Sequence, residues 1–175
     1  MCCMDQTKVS ARECITQALI RLMKEKPYEE INVSEICKAA GYNRITYYRN
    51  FSSKEDVLQS LLDGIALEFQ SKMELHRGEY FASSAARMFT IIKKYAEPLT
   101  LLHRAHMDYA LMETLDKAFH HTIPDGSRED AGYYRAFQSG GYFYVITKWL
   151  LSGMKESPRK MGQVLADAVE GSTIY

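Results

Sequence analysis

The residues best equipped for chemistry in this 175-residue chain form one short run, Arg44-Ile45-Thr46-Tyr47-Tyr48-Arg49. Two guanidinium groups, a threonine and two phenols within six residues supply donors and hydroxyls that suit base edges and phosphate oxygens. Ile45 and Tyr47 add apolar surface. The run follows Ala40-Gly41-Tyr42-Asn43, and glycine accepts the positive φ that lets a chain turn sharply between two short helices. A merely solvated helix gives no reason for such a cluster straight after a glycine turn. Residues 31–58, INVSEICKAAGYNRITYYRNFSSKEDVL, therefore read as a helix-turn-helix whose partner is double-stranded DNA.

Other reactive side chains are less pointed. His103-x-x-His106 places two imidazoles on one helical face, with His120-His121 a helix away. Without a nearby carboxylate or cysteine pair, that spacing fits surface or hydrogen-bonded histidines better than a metal site, and metal sensing stays open as the alternative. Cys2, Cys3, Cys14 and Cys37 all lie in the first quarter, and no second CxxC or histidine cluster completes a zinc finger. Cys14 and Cys37 read as small buried side chains, with redox or metal sensing the open alternative. No serine–histidine–aspartate spacing, glycine-rich phosphate loop or carboxylate pair supports catalysis, so neither an enzyme nor a cofactor is expected.

The elements that must position the run are helical. Ile15, Ala18, Leu19, Leu22 and Met23 recur at i, i+3, i+4, i+7 and i+8, one apolar stripe on a first helix over roughly 8–26. Pro27 ends it. Asn32 can cap a second helix while Glu35, three residues on, closes the box. Gly41 breaks that helix, and Asn43 caps the segment Arg44 to Phe51. Ser52 and Ser53, each followed three residues later by an acid, start a fourth helix carrying Leu58, Leu61, Leu62, Ile65 and Phe69 on one face. Further helices are expected over roughly 80–96, 99–106, 108–122, 130–154 and 158–170, with the four prolines between them. Tyr142–Thr147 has strand-like composition, but with Trp149, Leu150 and Leu151 following, a buried helix is favoured. The fold class is all-α, with about nine helices.

Composition agrees. Lys plus Arg equals Asp plus Glu at 22 each, which argues against a polycationic arm. The balance is uneven: residues 1–54 hold nine basic against six acidic side chains, residues 55–175 thirteen against sixteen. Only the first part carries the sign that meets an anionic partner. No run approaches the ~20 apolar residues that span a bilayer, and MCCMDQTK lacks the features of a signal peptide. A cytoplasmic chain that meets no membrane is expected.

Residues 8–58 resemble the N-terminal DNA-binding domain of the TetR/AcrR transcriptional regulators. The family pattern I-T-V-x-D-I-A-x-A-A-G-V-S-x-G-T-x-Y-x-Y-F-x-S-K-E-x-L is matched from Ile31-Asn32-Val33 through Ala39-Ala40-Gly41 and Thr46-Tyr47-Tyr48 to Phe51-Ser52-Ser53-Lys54-Glu55. The resemblance implies that Tyr48 bonds a phosphate, that Lys54 adds charge at a helix N-terminus already favourable to phosphate, and that Arg44 and Thr46 touch DNA. Tyr42 and Asn43 sit at the entrance of the recognition helix, and Asn32 where the family's helix cap often also contacts backbone. With Ile45, Tyr47 and Arg49 these residues make up the expected DNA-binding set. Three departures stand out: Ile45 for a glycine, where a thymine methyl contact becomes available; Asn50 for an aromatic or histidine; and Cys37 for alanine.

Beyond residue 58 the likeness weakens, but Gly140-Gly141, Trp149-Leu150 and Gly153-Met154-Lys155-Glu156-Ser157-Pro158 are similar to a Gram-positive subgroup whose last two helices form a four-helix bundle with a partner subunit. The residues argue the same way. Tyr142, Val145, Ile146, Trp149, Leu150 and Gly153 make one stripe, and Phe143, Leu151 and Met154 an adjacent one, so this helix must be buried on two sides. Met161, Val164, Leu165 and Ala168 follow on the final helix. A homodimer is expected, with Tyr142, Val145, Ile146, Trp149, Leu150, Met161, Val164, Leu165 and Ala168 at its interface.

In the family a cavity in the C-terminal domain takes a small effector. Phe69, Met73, Met88, Phe89, Tyr95, His103, His106, Tyr109, Met112 and Phe137 are adaptable liners, although such side chains on helices are more often core than pocket. The organisation expected is a helix-turn-helix DNA-binding domain over residues 1–54 and a helical effector-binding and dimerisation domain over 55–175. The function expected is a dimeric repressor on a pseudo-palindromic operator, released by an unknown small molecule; the alternative is a subunit acting mainly through a protein partner, of coactivator type.

Overall fold

The computed structural model describes residues 10–74, 80–120 and 130–171. Among them are nine α-helices, one 3-10 turn and no strand: α1 (Ala11–Glu25), the turn Tyr28–Glu30, α2 (Val33–Ala40), α3 (Arg44–Asn50), α4 (Lys54–Glu74), α5 (Phe81–Lys94), α6 (Ala96–Arg104), α7 (Asp108–His120), α8 (Ala131–Leu151) and α9 (Pro158–Gly171). Cys2 and Cys3 lie outside the described residues, as do His121 and the side chains of Met73 and His120.

The first three helices pack as a small unit. Ser10 and Glu13 cap α1 reciprocally, and its stripe buries Ile15, Ala18 and Leu19 completely. Removing each such side chain from water contributes about 1.5–3 kcal/mol for the larger ones, which offsets the ordering of short helices unable to stand alone. Asn32 and Glu35 make the expected capping box on α2: the Asn32 side chain accepts from Glu35 N–H at 3.1 Å, and Glu35 accepts from Asn32 N–H at 3.0 Å. Gly41 ends α2 in the left-handed region at φ 76°, and Asn43 caps α3 by accepting from Thr46 N–H at 2.8 Å.

The fourth helix leaves this unit and enters the second. Its apolar face keeps its expected register, with Leu58, Leu62, Ile65 and Phe69 all buried. One continuous core therefore runs from Ile15 and Phe51 along α4 to Phe89 and Trp149. The last helix lies against α5 so closely that a Cβ on Gly162 would stand 2.5 Å from the Ala82 carbonyl oxygen and 2.7 Å from the Ala86 nitrogen. The Ser157-Pro158 start of α9 is as expected, with the Ser157 hydroxyl accepting from Lys160 N–H. Tyr142–Thr147 lies inside α8, a helix as favoured above.

Three expectations need correction. Pro98 is the third residue of α6 rather than a linker residue; first-turn N–H groups have no intrahelical partner to lose, so proline fits there. His106 lies beyond the end of α6 in the left-handed region at φ 54°, so it shares no helical face with His103. His103 instead meets a carboxylate the spacing argument passed over, Asp108, at 2.6 Å. Finally, Tyr142, Ile146, Trp149, Leu150, Met161 and Leu165 are buried within the single chain. That stripe is intramolecular core, and only Val145, Val164 and Ala168 of the expected interface set escape full burial.

Candidate nucleic-acid interface

The third helix divides its side chains sharply. Tyr47 is fully buried, packed edge-on to Tyr48 at 5.3 Å and tilted against Phe51 at 6.1 Å. Arg44, Ile45, Tyr48 and Arg49, at i, i+1, i+4 and i+5, occupy the outward face, with Ile45 71% and Tyr48 57% exposed. Two guanidinium groups, a phenol and a branched aliphatic chain thus share one projecting surface, the combination that reads a major groove by donors and by methyl contact. Thr46 is half-buried, and its backbone is held by the Asn43 cap.

Several expected DNA contacts have other tasks. Tyr47 belongs to the core, a correction to its place among the DNA-binding residues. Its hydroxyl finds no hydrogen-bond partner among the described residues, and burial pushes its pKa up to about 12. Lys54 turns its ammonium onto the 3-10 turn, donating to the carbonyls of Tyr28 at 2.8 Å and Ile31 at 2.9 Å over the Tyr28 ring. With Glu29 O at 3.4 Å, its three protons are directed inward. An ammonium so placed braces the entry to α2 rather than offering itself to a phosphate. Asn32 spends its side chain on the cap, and Glu35, held by the Lys26 ammonium at 2.6 Å and by the Asn32 N–H, has a pKa below the usual carboxylate range. Tyr42 is half-buried at the turn, and Asn43 is exposed beside it.

Two contacts set how α3 sits. Arg44 donates to the Ser34 hydroxyl at 2.7 Å, tying the N-terminal end of α3 to α2. At the other end Asn50, the departure from the family pattern, donates back to Thr46 O at 2.8 Å, and Arg12 of α1 donates to Asn50 O at 2.7 Å. Sequence reasoning passed over Arg12. The only signal was a basic residue just before the apolar stripe of α1.

The region of the expected pocket is different in character. A cavity of about 40 Å³ lies among α4, α5, α6 and α7, walled by Leu62, Phe69, Met88, Ile92, Leu99 and Leu115 among others. Of the expected liners whose side chains are described, only Phe69 and Met88 reach it; that of Met73 lies outside the described residues. Phe89 packs edge-on to Trp149 at 5.1 Å, and Tyr95 donates to Glu68 at 2.6 Å. Tyr109, Met112 and Phe137 are exposed, as is His106. The expected pocket set is corrected accordingly. Helix periodicity says which side chains are apolar and adaptable, but not which of several faces encloses a space. Among the described residues no group of three or more potential ligands could hold a metal ion, and no helix is long and apolar enough to cross a membrane.

Comparison with known proteins gives two matches that together take in most of the chain. Residues 15–61 match the family "Bacterial regulatory proteins, tetR family", and residues 79–171 match "Transcriptional regulator C-terminal region". The chain is similar to the uncharacterised HTH-type transcriptional regulator YxbF of Bacillus subtilis, 22% identical over 69% of this chain and 30% of that protein. It is 49% identical to the HTH-type transcriptional regulator EthR of Mycolicibacterium smegmatis over 25% of this chain and 20% of EthR. It thus spans less than a third of the curated relatives it matches. In fold it is similar to a TetR transcriptional regulator from Streptococcus agalactiae, with TM-score 0.64 and 16% identity over 88% of this chain and 90% of that one. It is similar also to the regulator FadR of Bacillus subtilis, solved with stearoyl-CoA, at TM-score 0.55 and 20% identity over 86% and 93%.

Proposed function

From the premise that the chain belongs to the TetR family of bacterial regulatory proteins, a DNA-binding transcriptional regulator, we propose that it acts as a homodimeric repressor released by a small effector. The observation that carries the DNA-reading half is the outward face of α3, where Arg44, Ile45, Tyr48 and Arg49 project together while Tyr47 anchors the helix from behind. Arg44 and Ile45 read base edges, Tyr48 and Arg49 hold phosphates, and two copies one helical turn apart meet a pseudo-palindrome. Residues 1–54 are the reading domain; α4 onward carries dimerisation and the effector.

The dimer face is the outer stripe of α8, not its inner one. Tyr133, Phe137, Tyr144 and Leu151 recur at i, i+4, i+11 and i+18 and are 82%, 71%, 75% and 52% exposed, an apolar, largely aromatic strip that the other described residues leave uncovered. Val164 of α9 is a further exposed apolar side chain, 38% exposed. The effector enters among α4, α5, α6 and α7. Its cavity of about 40 Å³ is far below the roughly 300–1,000 Å³ of ligand pockets, so entry requires Phe69 and Met88 to move and α4 with them. A ligand that favours the opened body biases the heads away from the operator geometry.

The closed cavity also favours a second reading, a subunit governed by a protein partner instead of a ligand. Fluorescence anisotropy on duplexes from around its own gene, at several salt concentrations, tests the first. Saturable binding of two subunits per site with a log–log slope near −0.9 per neutralised phosphate is the expected result. No binding at low salt moves the partner reading to first place.

A further inference from the structure

We propose that Arg12 is the positioning residue that couples the recognition helix to α4, so that base reading depends on how α4 is set; this rests on the DNA-binding role given above. The Arg12 guanidinium makes three contacts with three elements. One arm donates to Asn50 O, the last carbonyl of α3, at 2.7 Å. The other donates to the Ser60 hydroxyl of α4 at 2.9 Å. The guanidinium carbon lies 4.3 Å from the centre of the ring of Phe51, the first of the three residues joining the two helices.

A cation at a helix C-terminus is favourable because the last carbonyls have no intrahelical donors. Only a forked, planar group can take a carbonyl and a hydroxyl on different helices at once; a lysine offers one point charge. The coupling matters because of what else α4 holds. Ser60 lies between the head and Leu62, Ile65, Ala66 and Phe69, which wall the effector cavity. Any shift of α4 that opens the cavity moves Ser60, and through Arg12 it moves the end of α3. Asn50 reinforces that end by donating to Thr46 O, so the last turn responds as one piece.

Full-length Arg12→Lys and Ser60→Ala are measured beside the unaltered protein, on the tightest duplex it selects from a randomised pool and on a scrambled duplex of equal length. Each variant is expected to lower the selected-to-scrambled affinity ratio about tenfold, the scale of one charge-assisted hydrogen bond, with scrambled binding and its salt slope unchanged. A fall on both duplexes with a salt slope shallower by about one would make Arg12 a phosphate ligand and overturn the proposal. An unchanged ratio would overturn it as well. Amide exchange supplies a readout independent of DNA: protection at Tyr47–Phe51 falls several-fold in both variants while α2 keeps its own. Equal protection of α3 in variant and parent refutes the clasp even if no duplex binds, an outcome that separately refutes the DNA-binding role.

Discussion

Tyr47 and Tyr48 are chemically identical neighbours with opposite tasks, and the difference is testable. Tyr47 buries a hydroxyl that has no partner among the described residues, and such a group costs its desolvation with nothing returned. Tyr47→Phe is expected to leave stability unchanged or raise it by up to about 1 kcal/mol, read from the thermal midpoint, with DNA affinity unaltered. Tyr48→Phe should leave the midpoint alone but weaken every duplex several-fold, because it removes an exposed donor. Arg44→Ala should in addition relax base preference; anisotropy on the selected and scrambled duplexes separates the two. The sequence carried Gly41, the Asn32–Glu35 box and the Asn43 cap to atomic detail, because each is a local rule satisfied within four residues. It did not carry the direction of Tyr47 or of Lys54. A seven-residue helix has too few turns to define a face, and an ammonium's type says nothing of whether carbonyls or phosphates are nearer.

At the level of elements, the α5–α9 contact is the tightest point. A methyl at Gly162 meets backbone atoms at 2.5 and 2.7 Å, so neither neighbour can yield by rotating a side chain. Gly162→Ala is expected to cost at least ~2 kcal/mol, read as a lowered midpoint in thermal denaturation, while Gly64→Ala, which meets nothing within 4 Å, should be neutral or slightly stabilising. The α4–α5 joint has a pH signature. The Lys94 ammonium first and the Tyr95 hydroxyl second hold the Glu68 carboxyl below its ordinary value. A lowered folded pKa contributes stability that is present above the unfolded value and lost as pH falls through the folded one. Glu68→Gln should therefore flatten the acid limb of the stability curve below the ordinary carboxylate range, and an unchanged limb would assign it elsewhere. Helix existence was legible here from periodicity, including α8 against its strand-like composition. The depth of Gly162 was not, since a glycine's close neighbours come from 76 to 80 residues away.

For the whole molecule, the decisive feature is that α8 is apolar on two sides for two reasons. Tyr142, Ile146 and Trp149 face the chain's own core, where the Trp149 indole donates to Glu156 O at 3.0 Å. Tyr133, Phe137 and Tyr144 face outward. The sequence marked the Tyr142 stripe as the interface and Phe143, Leu151 and Met154 as an adjacent covered face, took Phe137 for a pocket liner and did not single out Tyr133 or Tyr144, because periodicity picks out apolar faces without saying which of them the chain's own helices cover. The two faces predict different failures. Phe137→Arg with Tyr144→Glu places charges where a second copy would sit, and should yield a folded monomer with unchanged helix content in sedimentation experiments. Its operator affinity should fall by about 10²–10⁴, since two linked heads gain that much over one by effective concentration alone. Trp149→Arg, by contrast, buries an unpaired charge in a side chain's place at 2% exposure, and should unfold the second unit regardless of protein concentration. If the outer double variant still sediments as a dimer, that strip is not the interface, and Val164 with the exposed edge of α9 becomes the surface to alter next. A double variant that is monomeric yet keeps full affinity would mean that a single head suffices on DNA, which removes the need for a palindromic site.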